Sequence, residues 1–318
     1  MELDDRLRTP AETAVTTCLG LERGESCAVV TDDDRLGIGT ALYQVAAAVT
    51  DEAVLVRYAP GDQHGEEPPD PVAAALEAAD TFLAPTTTSL SHTRARGAAT
   101  EAGARGATLP GITESVFRTG LEADYESIAR TCRALADRLA GARSIRVETD
   151  LGTDITLAPG DRPWLTDTGL LREPGDFSNL PAGEVFVAPE RADGTVVVDG
   201  TMMPHGLLEA GRTVRFEVED GFVTAIDDPE VREQVATAAE AVGRDAYNLA
   251  ELGIGANLGV TDLVGSVLLD EKAAGTVHLA IGDDAGIGGH TEAPIHLDGV
   301  LREPRVTVDG ETLALPGA

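Results

Sequence analysis

The sequence predicts two domains of different class: an α/β N-terminal domain built on an open, mostly parallel sheet, and a mainly antiparallel α+β C-terminal domain. Up to about residue 140, short apolar runs alternate with alanine-rich stretches of helical periodicity, which is typical of β-α-β units. Beyond that point, short segments of alternating polarity are separated by Asp-Gly and Pro-Gly turns. We therefore expect domains at residues 1–142 and 143–318.

In the N-terminal domain, four apolar runs have the composition of buried parallel strands, at residues 28–30, 53–56, 81–84 and 107–110. The alanine-rich stretches predict helices over residues 39–49, 71–79 and 93–102, and a longer helix over residues 125–140 ends the domain. Because parallel strands need crossover connections, this order predicts a sheet covered by helices.

The C-terminal domain begins with two alternating segments, residues 144–149 and 153–157. Residues 214–226 predict a hairpin around Glu219-Asp220-Gly221, and residues 305–313 predict a second hairpin around Asp309-Gly310. One helix is predicted between them, over residues 229–243. This half of the chain should therefore be mainly antiparallel sheet with one long helix.

The charge balance narrows the classes of partner. The chain has 24 Lys+Arg against 55 Asp+Glu, a net charge of −31, which would repel nucleic-acid phosphates and anionic lipid. Lys272 is the only lysine, and the acidic surface is typical of a halophile whose cytosolic salt screens the charges. No stretch approaches the ~20 apolar residues of a membrane span. We expect a cytoplasmic protein with no nucleic-acid or membrane partner.

Five residues in the C-terminal half point to metal chemistry. His296 and Asp298 are two apart, so in a strand both side chains point to one face, although a surface pair has the same spacing. Glu184 and Glu251 lie among apolar residues, where a buried carboxylate must be paired, protonated or bound to metal. His278 lies in an apolar strand, and taken alone it is better explained as a neutral, hydrogen-bonded core histidine. Together they would suit two divalent cations sharing a carboxylate, with Zn, Co, Mn or Fe as candidates.

The segments that carry these residues resemble the metal-site motifs of the aminopeptidase T/aminopeptidase S family of metallopeptidases. The matching segments are Asn179–Phe186, Asn248–Gly255, Leu268–His278 and His296–Asp298. By position, the resemblance implies five metal ligands: Glu184, Glu251, His278, His296 and Asp298. It also implies an α/β N-terminal domain, a two-metal C-terminal domain, a peptide substrate and usually a homodimer. In this interpretation the cations activate a water molecule, and Glu251 or Glu184 takes its proton.

Two departures limit this inference, and the second resembles a related branch, the 2,5-dihydroxypyridine 5,6-dioxygenases. The peptidases carry a tyrosine shortly after the position of His278, whereas residues 282–286 contain none. The stretch from His278 to His296 is also short, as in the dioxygenases, which bind one ferrous ion by two histidines and a carboxylate. In that branch the position of Glu251 is a histidine, and those of Glu184 and His278 are apolar. Because ligand identity constrains a metal site more than loop length does, the first hypothesis is a metallo-aminopeptidase, a hydrolase. The alternatives are an Fe(II) ring-cleaving dioxygenase and an inactive metal-binding scaffold.

Overall fold

The computed structural model describes residues 5–317. By their contacts, the residues form two compact units: Met1–Ala129 with Thr168–Ala182, and Arg130–Asp167 with Gly183–Ala318. The first unit is therefore discontinuous in sequence, because the chain returns to it after contributing strands to the second. The domain boundary that the sequence predicts near residue 142 remains a prediction.

A five-stranded sheet of entirely parallel pairing forms the core of the first unit, in the order β2-β1-β3-β4-β8. Its strands are β1 (Cys27–Asp32), β2 (Ala53–Tyr58), β3 (Thr81–Thr86), β4 (Arg105–Pro110) and β8 (Phe177–Asn179). Its helices are α1 (Asp5–Glu12), followed by the π-helical Thr13–Cys18, α2 (Leu36–Val49), α3 (Asp70–Ala78), α4 (Arg94–Glu101) and α5 (Glu114–Leu121). Strands β1 and β3 are buried along their whole length, which explains their continuous apolar sequences.

The four predicted strands and three predicted helices of this region are present, with small differences at their ends. Helices α1 and α5 were not predicted, because they lack the alanine-rich composition that marks α4, a helix of the same length. A local signal does mark the start of α5, where the hydroxyl of Thr113 accepts a hydrogen bond from the backbone N–H of Val116 at 3.2 Å. The predicted fold class, an α/β N-terminal part followed by antiparallel sheets, is confirmed.

The strand order reverses between β1 and β3, which is where open α/β sheets usually bind ligands. Here the side chain of Asp32, at the end of β1, is buried and connects the loops that follow β1 and β3. Its Oδ1 accepts hydrogen bonds from the backbone N–H groups of Asp34 and Arg35, both at 3.1 Å, and its carboxylate also bonds to Thr87 after β3. Protein groups therefore satisfy the carboxylate of Asp32 in this crevice.

The second unit contains two seven-stranded antiparallel sheets, ordered β14-β13-β10-β6-β5-β18-β19 and β12-β11-β17-β16-β15-β9-β7. The first sheet consists of β5 (Ile145–Glu148), β6 (Asp154–Ala158), β10 (Arg191–Val198), β13 (Val214–Glu219), β14 (Phe222–Ile226), β18 (Arg305–Val308) and β19 (Glu311–Leu313). The second consists of β7 (Leu165–Asp167), β9 (Glu184–Val187), β11 (Thr201–Met202), β12 (Gly206–Leu207), β15 (Leu249–Gly255), β16 (Val277–Gly282) and β17 (His296–Leu301).

Helices complete this unit, and both predicted hairpins are present as β13-β14 and β18-β19. The helices are α7 (Pro229–Val242), which includes most of the predicted 229–243 helix, and the short α8 (Val267–Asp270), with 3₁₀ turns at Gly243–Tyr247 and Ala285–Ile287. Helix α6 (Tyr125–Leu139) contains the residue at which the two units divide. Among the residues described, no helix combines the length and hydropathy needed to cross a bilayer.

Candidate metal centre

Four neighbouring strands of the second unit, β17-β16-β15-β9, bring the five predicted ligands to one face of a sheet. Residues paired across antiparallel strands point to the same face, so the register shows which side chains are neighbours. Each ligand lies opposite a glycine or an alanine: Glu184 pairs with Gly255, Glu251 with Ala280, His278 with Gly253, His296 with Gly282, and Asp298 with Ala280. These small partners leave room on the face for the polar groups and for whatever they bind.

The five side chains form two groups that share Glu251. Glu184, Glu251 and His278 make one group, and Glu251, His296 and Asp298 make the other; within each group, one ligand atom per residue lies within 4.8 Å of the others. His278 Nε2 is 3.1 Å from Glu251 Oε1 and 3.5 Å from Glu184 Oε2. His296 Nε2 is 3.4 Å from both Glu251 Oε2 and Asp298 Oδ1. The structure therefore brings together all five residues that the sequence singled out.

A backbone carbonyl orients the imidazole of His296. The ring Nδ1 lies 2.8 Å from the carbonyl oxygen of Asp283, which can only accept, so Nδ1 carries the proton and donates. Nε2 is then the ring atom that faces Glu251 and Asp298, and it can bind a metal ion or, without one, a proton. A histidine ligand whose second nitrogen donates to a carbonyl is the usual arrangement at protein metal sites.

Sequence reasoning missed two charged residues beside the first group. Lys272 is only 2% exposed, and its Nζ lies 3.1 Å from Glu184 Oε1 while it also contacts the carboxylate of Glu271. Burial lowers the pKa of Lys272, but the carboxylates of Glu184 and Glu271 outweigh it and hold this pKa well above its usual value. Burial raises the pKa of Glu271 to about 8. The one available signal was that the chain's single lysine directly follows a glutamate in a ligand-bearing segment.

The three carboxylates among the five candidate ligands stabilise positive charge on the two histidines. Burial opposes the protonation of both histidines, yet the hydrogen bond to Glu251 and the nearby carboxylates raise the pKa of His278 to about 9. Asp298 and Glu251 likewise raise the pKa of His296 well above its usual value. Burial raises the pKa of Glu251, and its bonds to the two histidines reverse this and lower it. In the absence of a metal ion, protons therefore supply the positive charge that these carboxylates attract.

The donor set suits a divalent cation. Within the described part of the chain, two buried polar atoms of the cluster, Glu184 Oε2 and His278 Nδ1, have no hydrogen-bond partner. Carboxylate oxygen and imidazole nitrogen without thiolate are ligands for Zn²⁺, Mn²⁺ or Fe²⁺. The residues can therefore bind a metal ion, and their arrangement accommodates one in either group. Neither group is the two-histidine, one-carboxylate triad typical of non-haem iron oxygenases, because each contains two carboxylates and one histidine.

A family model described as 2,5-dihydroxypyridine 5,6-dioxygenase matches residues 20–318, nearly the whole chain. The 2,5-dihydroxypyridine 5,6-dioxygenase of Pseudomonas putida KT2440 is 26% identical over 204 residues, which cover 60% of this chain and 58% of that protein. The similarity in sequence thus spans somewhat more than half the length of this relative.

Two solved structures show the same fold. The 2,5-dihydroxypyridine dioxygenase from Pseudomonas putida KT2440 superposes with a TM-score of 0.80 at 21% identity, over 100% of this chain and 97% of that one. AmpT from Thermus thermophilus gives a TM-score of 0.67 at 20% identity, over 97% and 96% of the two chains. The second match supports the aminopeptidase T-like fold that the motifs indicated, and the first extends that fold to the dioxygenase branch.

The metallo-aminopeptidase hypothesis, with its hydrolase and protease activity, is wrong. It gave ligand identity more weight than the length of the loop between His278 and His296, and the family match overturns that choice. The match over residues 20–318 shows that the chain belongs to the 2,5-dihydroxypyridine 5,6-dioxygenase family.

Proposed function

We propose that this protein is a metal-dependent dioxygenase that opens the ring of a hydroxylated N-heteroaromatic compound of the 2,5-dihydroxypyridine type. The observation that carries the proposal is the family match over residues 20–318, because it includes every strand of the candidate metal centre. A 5,6-dioxygenase, as the family's description says, breaks the bond between ring carbons 5 and 6 and places both atoms of O₂ in the product. The reaction therefore needs no external reductant.

In this proposal, Glu251, His296 and Asp298 hold an iron(II) ion. When bound, iron(II) supplies the one-electron chemistry that allows O₂ to react with an aromatic ring. The chain's own residues orient the ligands: the carbonyl of Asp283 fixes the tautomer of His296, and His278 hydrogen-bonds Glu251 at 3.1 Å.

The number of ions is a second part of the proposal. We infer two positions, because the group of Glu184, Glu251 and His278 shares Glu251 with the first and keeps Glu184 Oε2 free of any hydrogen bond. Zn, Co, Mn or Fe would suit the second position. Metal analysis should then find two ions per chain in the wild type and one in His278→Ala. One ion in both proteins would reduce the proposal to a single iron.

Oxygen uptake tests the activity. The protein is loaded with Fe²⁺ under anaerobic conditions and mixed with 2,5-dihydroxypyridine in aerated buffer at high salt. We expect one O₂ consumed per ring opened, with both labelled atoms of ¹⁸O₂ in the product. His296→Ala should abolish uptake, whereas His290→Ala, an exposed histidine in neither group, should retain it. Folded, iron-loaded protein that consumes no O₂ with this substrate would overturn the proposed reaction.

A homodimer and a cytoplasmic location also remain proposals. The resemblance to the aminopeptidase T/aminopeptidase S family supports the first, and the acidic composition supports the second. Light scattering after size exclusion measures the oligomeric state directly.

A further inference from the structure

We propose that Asp284 is a positioning residue for the candidate metal centre, and that it acts by holding the loop that orients His296. This inference rests on the proposed function, since it concerns the same site. The loop, residues 283–295, joins β16 to β17 and is called the His296 loop below. Asp284 is only 1% exposed, although it lies in a connection between strands.

The carboxylate of Asp284 accepts hydrogen bonds from three separate parts of the second unit. Its Oδ1 accepts from the backbone N–H of Thr291 at 2.7 Å, across the His296 loop. Its Oδ2 accepts from Asn248 Nδ2 at 3.1 Å and from Arg162 Nη1 at 3.3 Å. These hydrogen bonds constrain the position of the buried carboxylate, because losing any donor would leave a polar group unsatisfied.

The donors connect Asp284 to the strands that carry the ligands. Arg162 Nη1 also donates to the carbonyl of Pro189, just beyond the end of β9. Asn248 precedes β15, and its backbone carbonyl accepts from the N–H of Gly282, the last residue of β16, at 2.8 Å. One carboxylate therefore holds together the ends of three strands that bear Glu184, Glu251 and His278.

The same loop determines the orientation of His296. The N–H of Asp283 donates to the carbonyl of Ile295 at 2.8 Å, and the N–H of Ala293 donates to Asp283 Oδ1 at 3.1 Å. These bonds close the two ends of the loop, so that the carbonyl of Asp283 meets Nδ1 of His296. The peptide that presents this carbonyl is held on its other side by the N–H of Asp284, which donates to the carbonyl of Thr291 at 3.0 Å, while the Asp284 carboxylate accepts from the N–H of Thr291. Loss of that carboxylate therefore loosens the segment against which the peptide is held.

A glycine packed against the carboxylate offers a second, independent way to disturb it. A Cβ atom at Gly289 would lie 2.0 Å from Cγ of Asp284 and 2.1 Å from its Oδ1, closer than any real contact. Gly289→Ala would therefore displace Asp284 without changing any charge. Asp284→Asn, in contrast, keeps the shape and removes the negative charge that Arg162 faces.

The experiment measures Co²⁺ binding by titration calorimetry, together with the visible spectrum of the bound Co²⁺ and the melting temperature. We expect the Kd to rise about 10- to 100-fold in both Asp284→Asn and Gly289→Ala, which is the range seen when groups supporting metal ligands are removed. Asp228→Asn is the matched control, because Asp228 is also a buried, multiply bonded aspartate, but it caps helix α7 through the N–H groups of Glu230 and Val231. It should lower the melting temperature and leave the Co²⁺ affinity unchanged.

The outcomes separate this inference from the proposed function. Equal Co²⁺ affinity in the wild type and both loop variants would overturn the role of Asp284. If the wild type itself binds no Co²⁺, the proposed function fails, and hydrogen exchange of the backbone N–H of Ala293, which bonds to Asp283 Oδ1 and closes the His296 loop, still tests the inference. Exchange should be faster in Asp284→Asn than in the wild type, and equal exchange rates would contradict the role of Asp284.

Discussion

At the scale of single residues, Lys272 shows how this site balances its charge. An ammonium group with 2% exposure between two carboxylates is not a surface ion pair, because neither side can exchange its partner for water. The contacts keep Oε1 of Glu184 engaged and leave Oε2 directed toward His278. Lys272 therefore contributes to the orientation of a candidate ligand as well as to the charge of the cluster.

Replacing Lys272 by methionine should destabilise the protein by about 3–5 kcal/mol, because the carboxylate of Glu184 would remain buried without its cation. Denaturant unfolding measures the loss. Arg138→Met is the control, because Arg138 pairs with Glu311 and its side chain is 51% exposed. This substitution should lower the free energy of unfolding by at most about 1 kcal/mol. Equal effects of the two substitutions would contradict the role assigned to Lys272.

The pH dependence of stability has a definite sign at this site. The pKa of His278 rises from 6.5 to about 9 in the folded protein, and that of Glu271 from 4.5 to about 8. A raised pKa gives stability that is fully present below the unfolded value and is lost as the pH passes the folded value. The melting temperature of the metal-free protein should therefore fall from about pH 4.5, the unfolded value for Glu271, to about pH 9, the folded value for His278. A bound metal ion replaces these protons, so the melting temperature of the metal-loaded protein should fall less over the same pH range. Equal falls in the metal-free and metal-loaded protein would refute this.

At the scale of elements, the close approach of β15 and β16 determines where His278 lies. Gly253 pairs with His278, and a Cβ at position 253 would lie 2.0 Å from the Nε2 atom of the imidazole. The strand can carry a histidine at this point only because its neighbour has no side chain. The glycine thus belongs to the site although it offers no ligand.

Gly253→Ala should cost about 1–3 kcal/mol through overpacking and should displace His278 from Glu251. If two ions bind, this variant should retain one. Gly97→Ala is the control, because that glycine lies inside α4 with nothing within 4 Å of an added Cβ, and alanine there should be neutral or stabilising by about 0.4–1 kcal/mol. An unchanged melting temperature in Gly253→Ala would show that the imidazole moves aside freely.

The elements also show what a single sequence can and cannot predict. Strands β1 and β3 were predictable because full burial produces continuous apolar runs, and Glu184 and Glu251 were conspicuous because they interrupt such runs. Helices α1 and α5 were missed because they lack the alanine-rich composition by which the other helices of the first unit were recognised. The partners of Lys272 and Asp284 could not be predicted, because hydrogen bonds between distant segments depend on the tertiary structure. The reaction was misassigned for a related reason, since the same ligand types serve more than one chemistry.

At the scale of the whole molecule, the dominant property is the net charge of −31. Repulsion among so many carboxylates opposes the compact state. Salt weakens this repulsion, because the Debye length falls from about 10 Å at 0.1 M to about 3 Å at 1 M. The few arginine pairs at the surface contribute little in comparison.

The melting temperature should rise steeply with KCl between 0.1 M and about 1 M, where screening changes most, and level off beyond it. Sucrose at matched osmolality is the control, because it favours compact states without screening charge. A melting temperature that responds equally to sucrose and KCl, or not at all to KCl, would show that repulsion does not limit stability.

The discontinuous first unit has a consequence for how the polypeptide is made. Strand β8 supplies the fifth strand of its parallel sheet, yet about forty residues of the other unit separate it from Ala129. On a ribosome, the edge of β4 therefore emerges long before the strand that covers it, and an uncovered edge invites pairing with other nascent chains. Chaperones that engage unpaired strands would act during this interval, and a fragment ending near residue 142 would carry the same open edge permanently.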